Sequence, residues 1–193
     1  MPIAFIVDGI SEKRIVQKLC SGAQVRTTGL NGRDVTLAAI ATKVESLIRL
    51  LKDRYYPIFV VLDRESREDG SEYIELEIKK ILEEKGICIN NIVVSCPDRM
   101  IENWIVAGTT HYAGEVCDIA LDRESPDGFG GKGVLKEFLQ KRKVIYGETT
   151  VGVEMFCAMD FEAAAKRSES CRRFLVAISP YCPKFAGKSF RWI

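Results

Sequence analysis

The chain has 193 residues, of which 47% are hydrophobic and 28% are charged, and its formal net charge is +1. These values lie near the globular average, so they argue against a disordered or fibrous protein and favour a single domain with its own core. The longest apolar runs are far shorter than the roughly 20 residues of a membrane helix, which argues against a membrane span.

Two strand-and-helix units are predicted in the first 52 residues. Residues 3–7 are all apolar, which is typical of a strand buried on both faces, and the run stops at Asp8. Ser11 is a suitable N-cap for a helix that ends near Gly22. A weaker strand over 25–30 and an amphipathic helix over 33–52 follow.

The same alternation continues to residue 108. A buried strand over 58–62 ends at Asp63, a helix runs to Gly86, and a third apolar strand covers 89–95. Asp98 is then predicted to cap a helix that carries Trp104. Strands that alternate with helices of this length imply right-handed crossovers, so the sequence predicts an α/β fold with a mainly parallel, Rossmann-like sheet of about four strands.

Residues 109–193 are predicted to form a loop and a helical extension that packs on the α/β core of residues 1–108. The loop covers 109–132, where Gly, Asp, Pro and Ser are frequent. Helices are predicted over 133–141, 150–155 and 161–178.

Seven cysteines are scattered along the chain without a close CxxC pair. This pattern favours reduced, mostly buried thiols over a disulfide framework or a zinc site. The chain begins with Met1-Pro2-Ile3 and enters an apolar strand without a basic leader, so a cytoplasmic location is expected.

Acidic residues end two of the predicted strands. Parallel strands deliver their carboxyl ends to one edge of the sheet, where ligands bind, so Asp8 and Asp63 are expected to meet there. Glu65 lies two residues beyond Asp63 and would project to the same side from an extended backbone. The alternative is that these acids lie on solvated loops, with Glu65 in a surface charge cluster beside Arg64 and Arg67.

A cluster of this kind is expected to bind a cation. Carboxylates held close together raise one another's pKa, and a cation or a proton offsets that cost. Mg²⁺ is the hard, oxygen-seeking ion that fits, with Mn²⁺ as a substitute, and it commonly shares phosphate oxygens of a substrate. Asp8, Asp63 and Glu65 are the predicted metal ligands.

Four segments together resemble a known family. Residues 6–12 (IVDGISE) and 61–65 (VLDRE) resemble the Toprim domain of topoisomerases, primases and overcoming-lysogenization-defect nucleases, which has an acid-Gly turn and a later Asp-x-Asp motif. Residues 100–104 (MIENW) and 165–174 (AKRSESCRRF) are similar to segments of a small stand-alone Toprim-like family of prokaryotic proteins, often found near defence genes. The family pattern has Glu where this chain has Asp8, and Asp where it has Glu65.

The resemblance implies a Mg²⁺-dependent nuclease or another phosphoryl-transfer enzyme that acts on nucleic acid, with a setting in phage defence. Asp8 would be the general base or the acid that organises the metal, and Asp63 and Glu65 would be ligands. Glu102 is the fourth catalytic candidate, and its alternative role is a favourable interaction with the dipole of its helix. Trp104 is expected in the core rather than as a platform for stacking bases.

Phosphate groups also need cationic partners. The predicted phosphate or nucleic-acid contacts are Lys13, Lys132, Arg167 and Arg172, although solvated helix faces explain most such charges. The Gly-rich stretch 130–133 lacks the GxxxxGK[ST] spacing of a P-loop. His111 is the only histidine, and the sequence has no recognisable nucleophile motif to pair with it.

Two other functions stay open on the sequence alone. The exchanges at Asp8 and Glu65 also suit a non-catalytic Toprim-like module that binds a nucleotide, nucleic acid or a partner ATPase encoded nearby. A phosphatase or receiver-like domain would use Asp63 as a phosphate acceptor, but no suitably placed lysine and hydroxyl are found. The sequence does not distinguish DNA from RNA or endonuclease from exonuclease action, and it leaves the oligomeric state open.

Overall fold

A four-stranded, all-parallel sheet forms the centre of the computed structural model, which describes residues 2–30, 34–51, 54–117, 119 and 125–190. The strand order is β2-β1-β3-β4, and this α/β arrangement confirms the predicted fold class. The strands are β1 (Ala4–Val7), β2 (Gln24–Thr27), β3 (Ile58–Val61) and β4 (Ile92–Ser95). The strands are parallel and paired in register, so the carboxyl ends of all four lie at one edge of the sheet.

Helices cover both faces of the sheet. The first half of the chain contributes α1 (Ile10–Leu19), α2 (Leu37–Leu51), α3 (Ser71–Glu84) and α4 (Ile101–Gly108). The second half contributes α5 (Gly131–Gln140), α6 (Val153–Ala158), α7 (Phe161–Arg167) and α8 (Glu169–Ile178). No helix within the described ranges is long and apolar enough to cross a membrane.

Alternating side chains of the strands divide the core into two layers. Ile6 and Val60 face α2 and α3, whereas Phe5 and Phe59 face α1 and the later helices. The rings of Phe5 and Phe59 stack with their centroids 5.1 Å apart. Trp104 is fully buried in the second layer, which confirms that it belongs to the core.

Several local predictions need correction. The helix expected over 161–178 is two helices, because Ser168 ends α7 and its side chain accepts a hydrogen bond from the N–H of Cys171 to begin α8. Asp98 does not cap α4, whose N-cap is Met100. The Asp98 carboxylate instead pairs with Arg64 Nε at 2.5 Å.

The segments around these helices also differ from the prediction. A two-stranded antiparallel hairpin, β5 (His111–Tyr112) and β6 (Glu115–Val116), lies inside the predicted loop. A π-helical turn, Glu148–Gly152, precedes α6 where one short helix was expected. A 3₁₀ turn, Ile89–Asn91, replaces the start of the third apolar strand. Residues 33 and 52 of the predicted second helix, and residues 118 and 120–124 of the predicted loop, lie outside the described residues.

The expectation that all cysteines are free thiols is wrong for one pair. Cys20 follows α1 and Cys182 follows α8, and the two form a disulfide with their Cα atoms 5.0 Å apart. No local spacing signals this pair, because 162 positions separate the two residues. The other five cysteines are not part of a disulfide, and Cys96 and Cys171 among them are buried.

Candidate functional site

A cavity of about 440 Å³ opens at the carboxyl ends of β1 and β3. From β1 the chain continues to β2 on one side of β1, and from β2 it crosses to β3 on the other side of β1. The order of the strands therefore reverses between β1 and β3. Ligands of open α/β sheets bind at such a switch point. Six acidic residues line the cavity: Asp8, Glu12, Asp63, Glu65, Glu102 and Glu148.

Asp8 is tied to both neighbouring strands. Its Oδ1 accepts a hydrogen bond from Thr28 Oγ1 at 3.0 Å, and its Oδ2 accepts one from the backbone N–H of Asp63 at 3.1 Å. Burial raises the pKa of Asp8 from its usual 3.8 to about 6, although these two hydrogen bonds favour the ionised form. The side chain is therefore fixed in position and sits near its titration midpoint in weakly acidic solution.

Asp63 has a carboxylate oxygen without a partner. Its Oδ1 is enclosed and makes no hydrogen bond in the structure. Burial first, and then the charges of Glu12 and Asp8, raise the pKa of Asp63 well above its usual value. A buried acceptor left in this state is costly and needs an explanation such as an absent ion or water.

Glu65 reaches the cavity from a left-handed turn. Its φ is +58°, so the extended backbone expected after Asp63 is not present. The Glu65 N–H donates to the carbonyl of Arg99 at 2.7 Å, and Arg99 is itself left-handed with φ of +84°. Non-glycine residues with positive φ are uncommon, and such strain concentrates at functional sites.

Glu102 is only 7% exposed and lies in the first turn of α4. Its Oε1 accepts a hydrogen bond from the hydroxyl of Tyr146 at 2.9 Å. Burial raises the pKa of Glu102, and the Tyr146 hydrogen bond opposes that rise. Gly152 leaves room for the side chain of Tyr146, because a Cβ at residue 152 would lie 2.7 Å from the tyrosine oxygen.

Asn103 holds a loop of the second half against α4. Its side-chain Nδ2 lies within hydrogen-bond distance of the carbonyls of Asp98, Pro126 and Phe129, at 2.7–3.0 Å. Its Oδ1 accepts from the N–H of Gly131 at 3.0 Å. This contact sets the start of α5, and thereby Lys132, beside Glu102.

The two family-like segments in the later chain contact each other. Trp104 Nε1 donates to Ser170 Oγ at 2.8 Å, and both residues are buried. Ser170 and Ser168 in turn donate to the carboxylate of Asp127, at 3.2 and 2.7 Å. These contacts join α4 to α8 behind the cavity, whereas Met100 and Glu102 of the first of these segments line the cavity itself.

Lys132 is the cationic residue among those that line the cavity. It forms an ion pair with Glu148, and the hydrogen bond from Lys132 to Glu148 raises the pKa of the lysine. Lys132 thus offsets part of the negative charge at the cavity mouth.

The other predicted phosphate contacts lie outside the cavity lining. Lys13 follows Glu12 on α1 and is half-buried. Arg167 donates to the carbonyl of Ala107 at 3.3 Å, at the far end of α4. Arg172 makes a two-point ion pair with Glu169 at 2.8 and 2.5 Å.

Sequence reasoning missed three residues that line or support the cavity. Glu12 carries a weak signal, because it stands three residues after Gly9 and its Oε2 accepts the Gly9 N–H at 3.0 Å, as in a capping box. Burial raises the pKa of Glu12 as well. Tyr146 and Glu148 carry no local signal, since only the tertiary packing of the π-helical turn brings them to the cavity.

The donor set of the cavity suits a hard divalent cation, which takes carboxylate oxygens as ligands. The unpartnered Oδ1 of Asp63 lies beside Asp8, whose oxygens retain further lone pairs. As the side chains stand, no three His, Cys, Asp or Glu residues of the described chain are arranged as a ligand set for a metal ion. Binding would therefore require the carboxylates to turn towards a common position.

Comparison with known proteins gives no relative. No family model, no curated protein and no solved structure matches this chain.

Proposed function

We propose that this protein is a Toprim-like, Mg²⁺-dependent enzyme that hydrolyses phosphodiester bonds of nucleic acid. The observation that carries the proposal is the enclosed, unpartnered Oδ1 of Asp63 in a cavity lined by six acidic residues. A setting in phage defence belongs to the same proposal and rests on the sequence resemblance alone.

Electrostatics supports a cation in this cavity. The pKa values of Asp8, Glu12, Asp63 and Glu102 are all raised, with burial as the first cause of each. Hydrogen bonds to Asp8 and Glu102 and the pairing of Lys132 with Glu148 offset part of this charge, and proton binding offsets more of it. A divalent cation offsets the same charge and leaves the carboxylates ionised.

The residues divide into proposed roles. Asp8, Asp63 and Glu65 would hold the cation, which when bound would supply an activated water and neutralise charge on the phosphate. Glu102, whose carboxylate accepts a hydrogen bond from Tyr146, would accept a proton from that water. Lys132 would exchange its contact with Glu148 for a phosphate oxygen.

A second candidate is a non-catalytic module that binds a nucleotide, nucleic acid or a partner ATPase. One observation favours it: both oxygens of Asp8 already accept protein hydrogen bonds, and within the described part of the chain no three carboxylates are arranged to hold a metal ion. In that case the acids would serve only to shape a pocket.

Cleavage assays test the first proposal. Plasmid and short DNA or RNA are incubated with the protein in Mg²⁺ or Mn²⁺, and we expect cleavage that Asp63→Asn abolishes. Asp69→Asn is the matched control because Asp69 is exposed in the loop after β3 and does not line the cavity. Absence of cleavage, or equal cleavage by Asp63→Asn, would overturn the enzymatic proposal.

A crystal soaked in Mn²⁺ separates the two candidates. Anomalous density between Asp8 and Asp63 supports the enzyme. Density at neither residue, with nucleotide binding retained by Asp63→Asn, supports the non-catalytic module.

A further inference from the structure

A second cavity, of about 380 Å³, adjoins the acidic one. We name it the cationic groove. It lies between α1 and the turn that precedes α6, and it has two basic residues, one acid, three uncharged polar residues and one valine in its wall. Its lining comprises Arg14, Gln17, Lys18, Thr149, Thr150, Val153 and Glu154.

The cationic groove and the acidic cavity share Thr149 as a common wall. Arg14 Nη1 donates to the backbone carbonyl of Thr149 at 2.6 Å, so a basic residue of the groove fixes the partition between the two spaces. The two cavities are therefore neighbours with opposite charge.

The groove presents hydrogen-bond donors suited to an anion. Arg14 and Lys18 are exposed and stand four positions apart on α1, so they lie on the same face of the helix. A guanidinium has five N–H donors, and one recorded bond to Thr149 leaves others for a ligand. Thr149, Thr150 and Gln17 add neutral donors, and Glu154 is the one acid in the groove lining.

We infer that the cationic groove binds the phosphate next to the phosphodiester that occupies the acidic cavity, and that the bound nucleic acid is single-stranded. This inference rests on the proposed function. A strand whose scissile phosphate enters the acidic cavity must continue past its rim, and on the α1 side the adjoining space is the groove with Arg14 and Lys18. Sequence-independent binding of single strands uses basic grooves that follow the backbone in this way.

The size of the acidic cavity favours a single strand. Its volume of about 440 Å³ lies near the lower end of the range for pockets that hold one small ligand. Asp63 Oδ1 is enclosed and Glu102 is 7% exposed, so a phosphate must enter the cavity to reach them. A strand held in a duplex is kept out by its partner strand.

Binding of a fluorescein-labelled 12-nucleotide oligothymidylate tests the inference. Fluorescence anisotropy is measured in Ca²⁺, and a gel verifies that the oligonucleotide stays intact. We expect Arg14→Glu/Lys18→Glu to weaken binding about ten-fold or more and to reduce the salt slope by about 0.7, which is the contribution of one neutralised phosphate on a single strand. The matching duplex should bind at least about ten-fold more weakly than the single strand.

Two further variants control for charge and folding. Lys43→Glu/Lys80→Glu makes the same charge change on α2 and α3, on the other face of the sheet, and should change affinity less than about two-fold. Lys18→Glu alone preserves the Arg14 contact to Thr149 and should still weaken binding. The proposal that the groove binds phosphate would be overturned by an equal loss of affinity in both double variants, by unchanged affinity in the groove variants, or by a wild type that does not bind the oligonucleotide. Equal affinity for duplex would overturn the single-strand preference.

These results are distinguishable from failure of the proposed function. If the groove variants lose binding but the wild type does not cleave nucleic acid, the groove is supported as a binding site and the enzymatic function is rejected. A wild type that cleaves through Asp63, together with a groove variant that binds and cleaves normally, would reject the groove alone.

Discussion

The backbone N–H of Asp63 donates a hydrogen bond to Oδ2 of Asp8 at 3.1 Å, across 55 positions of sequence. The bond joins the ends of β1 and β3, which pair in register through Val7 and Val61. The backbone of Asp63 thus orients the carboxylate of Asp8. The charge of Asp8 in turn raises the pKa of Asp63.

Stability without metal is expected to fall as the pH rises. The folded-state pKa of Asp8 is about 6, above its ordinary 3.8, so between these values the folded protein binds more protons than the unfolded chain. The stabilisation present below about pH 4 is lost as the pH passes through about 6, and Asp8 accounts for at most about 3 kcal/mol of it. Urea denaturation in EDTA from pH 4 to pH 8 measures this change.

Asp8→Asn should reduce that pH dependence. The amide can accept the Asp63 N–H and donate to Thr28, so the fold is preserved while the titrating group is lost. Asp69→Asn, which changes an exposed carboxyl, should keep the wild-type profile. A wild-type stability that increases over this range would contradict the raised pKa values.

Tyr146→Phe should raise the pKa of Glu102 further. The Tyr146 hydrogen bond is the main contact that lowers this pKa against the effect of burial, so its loss is expected to raise the pKa further. Carboxyl ¹³C NMR measures the shift, and the acid limb of the cleavage profile should move to higher pH. Tyr73→Phe, at an exposed position on α3, should change neither readout.

Gly131 and Gly133 offer a matched pair on α5. A Cβ at Gly131 would lie 2.7 Å from the backbone N of Asn103 and the backbone C of Glu102, whereas a Cβ at Gly133 meets nothing within 4 Å. Gly131→Ala should therefore lower the free energy of unfolding by about 1–3 kcal/mol. Gly133→Ala should raise it by about 0.5–1 kcal/mol, and urea denaturation of both variants checks the contrast. Similar effects of the two changes would refute the close approach of α4 and α5.

Ser170→Ala should destabilise the protein although it removes only one oxygen. The buried Trp104 N–H loses its acceptor, and Asp127 loses a donor, so the expected cost is about 1–3 kcal/mol. Ser46→Ala on the exposed face of α2 is the control and should be neutral or slightly stabilising. Chemical denaturation followed by circular dichroism provides the comparison.

The Cys20–Cys182 disulfide predicts a thiol count. Protein purified without reductant and unfolded in guanidinium should react with five equivalents of a thiol reagent, because two of the seven cysteines are paired. Cys88→Ser should lower the count to four. A count of seven in the wild-type protein would show that the bond does not form.

The fold class followed from the sequence because its signals are local and repeated. Each buried strand is a continuous apolar run and each helix has a 3.6-residue period, so the alternation identified a parallel sheet. The meeting of Asp8 and Asp63 needed only the further rule that parallel strands share one carboxyl edge. The break at Ser168 was missed because the apolar residues on both sides keep a helical spacing, and only the cap separates α7 from α8.

The remaining wall of the cavity was not predictable in the same way. Glu148 and Tyr146 lie in a segment without periodicity, and their positions depend on contacts with α1 and α4 that form only in the folded protein. Glu65 was placed by an extended-strand argument, but its backbone is left-handed and bonded to Arg99. Spacing rules describe regular elements, so they do not extend to residues in turns.

The hydrogen bonds from Asn103 to the loop of residues 126–129 also have a consequence for folding during translation. Strands β1 to β4 and helix α4 leave the ribosome first, and the residues that cover Trp104 and complete the cavity wall follow from residue 126 onwards. For that interval the nascent chain has its acidic strand ends but lacks Lys132, Tyr146 and Glu148. Synthesis must therefore pass residue 148 before the wall of the cavity is complete.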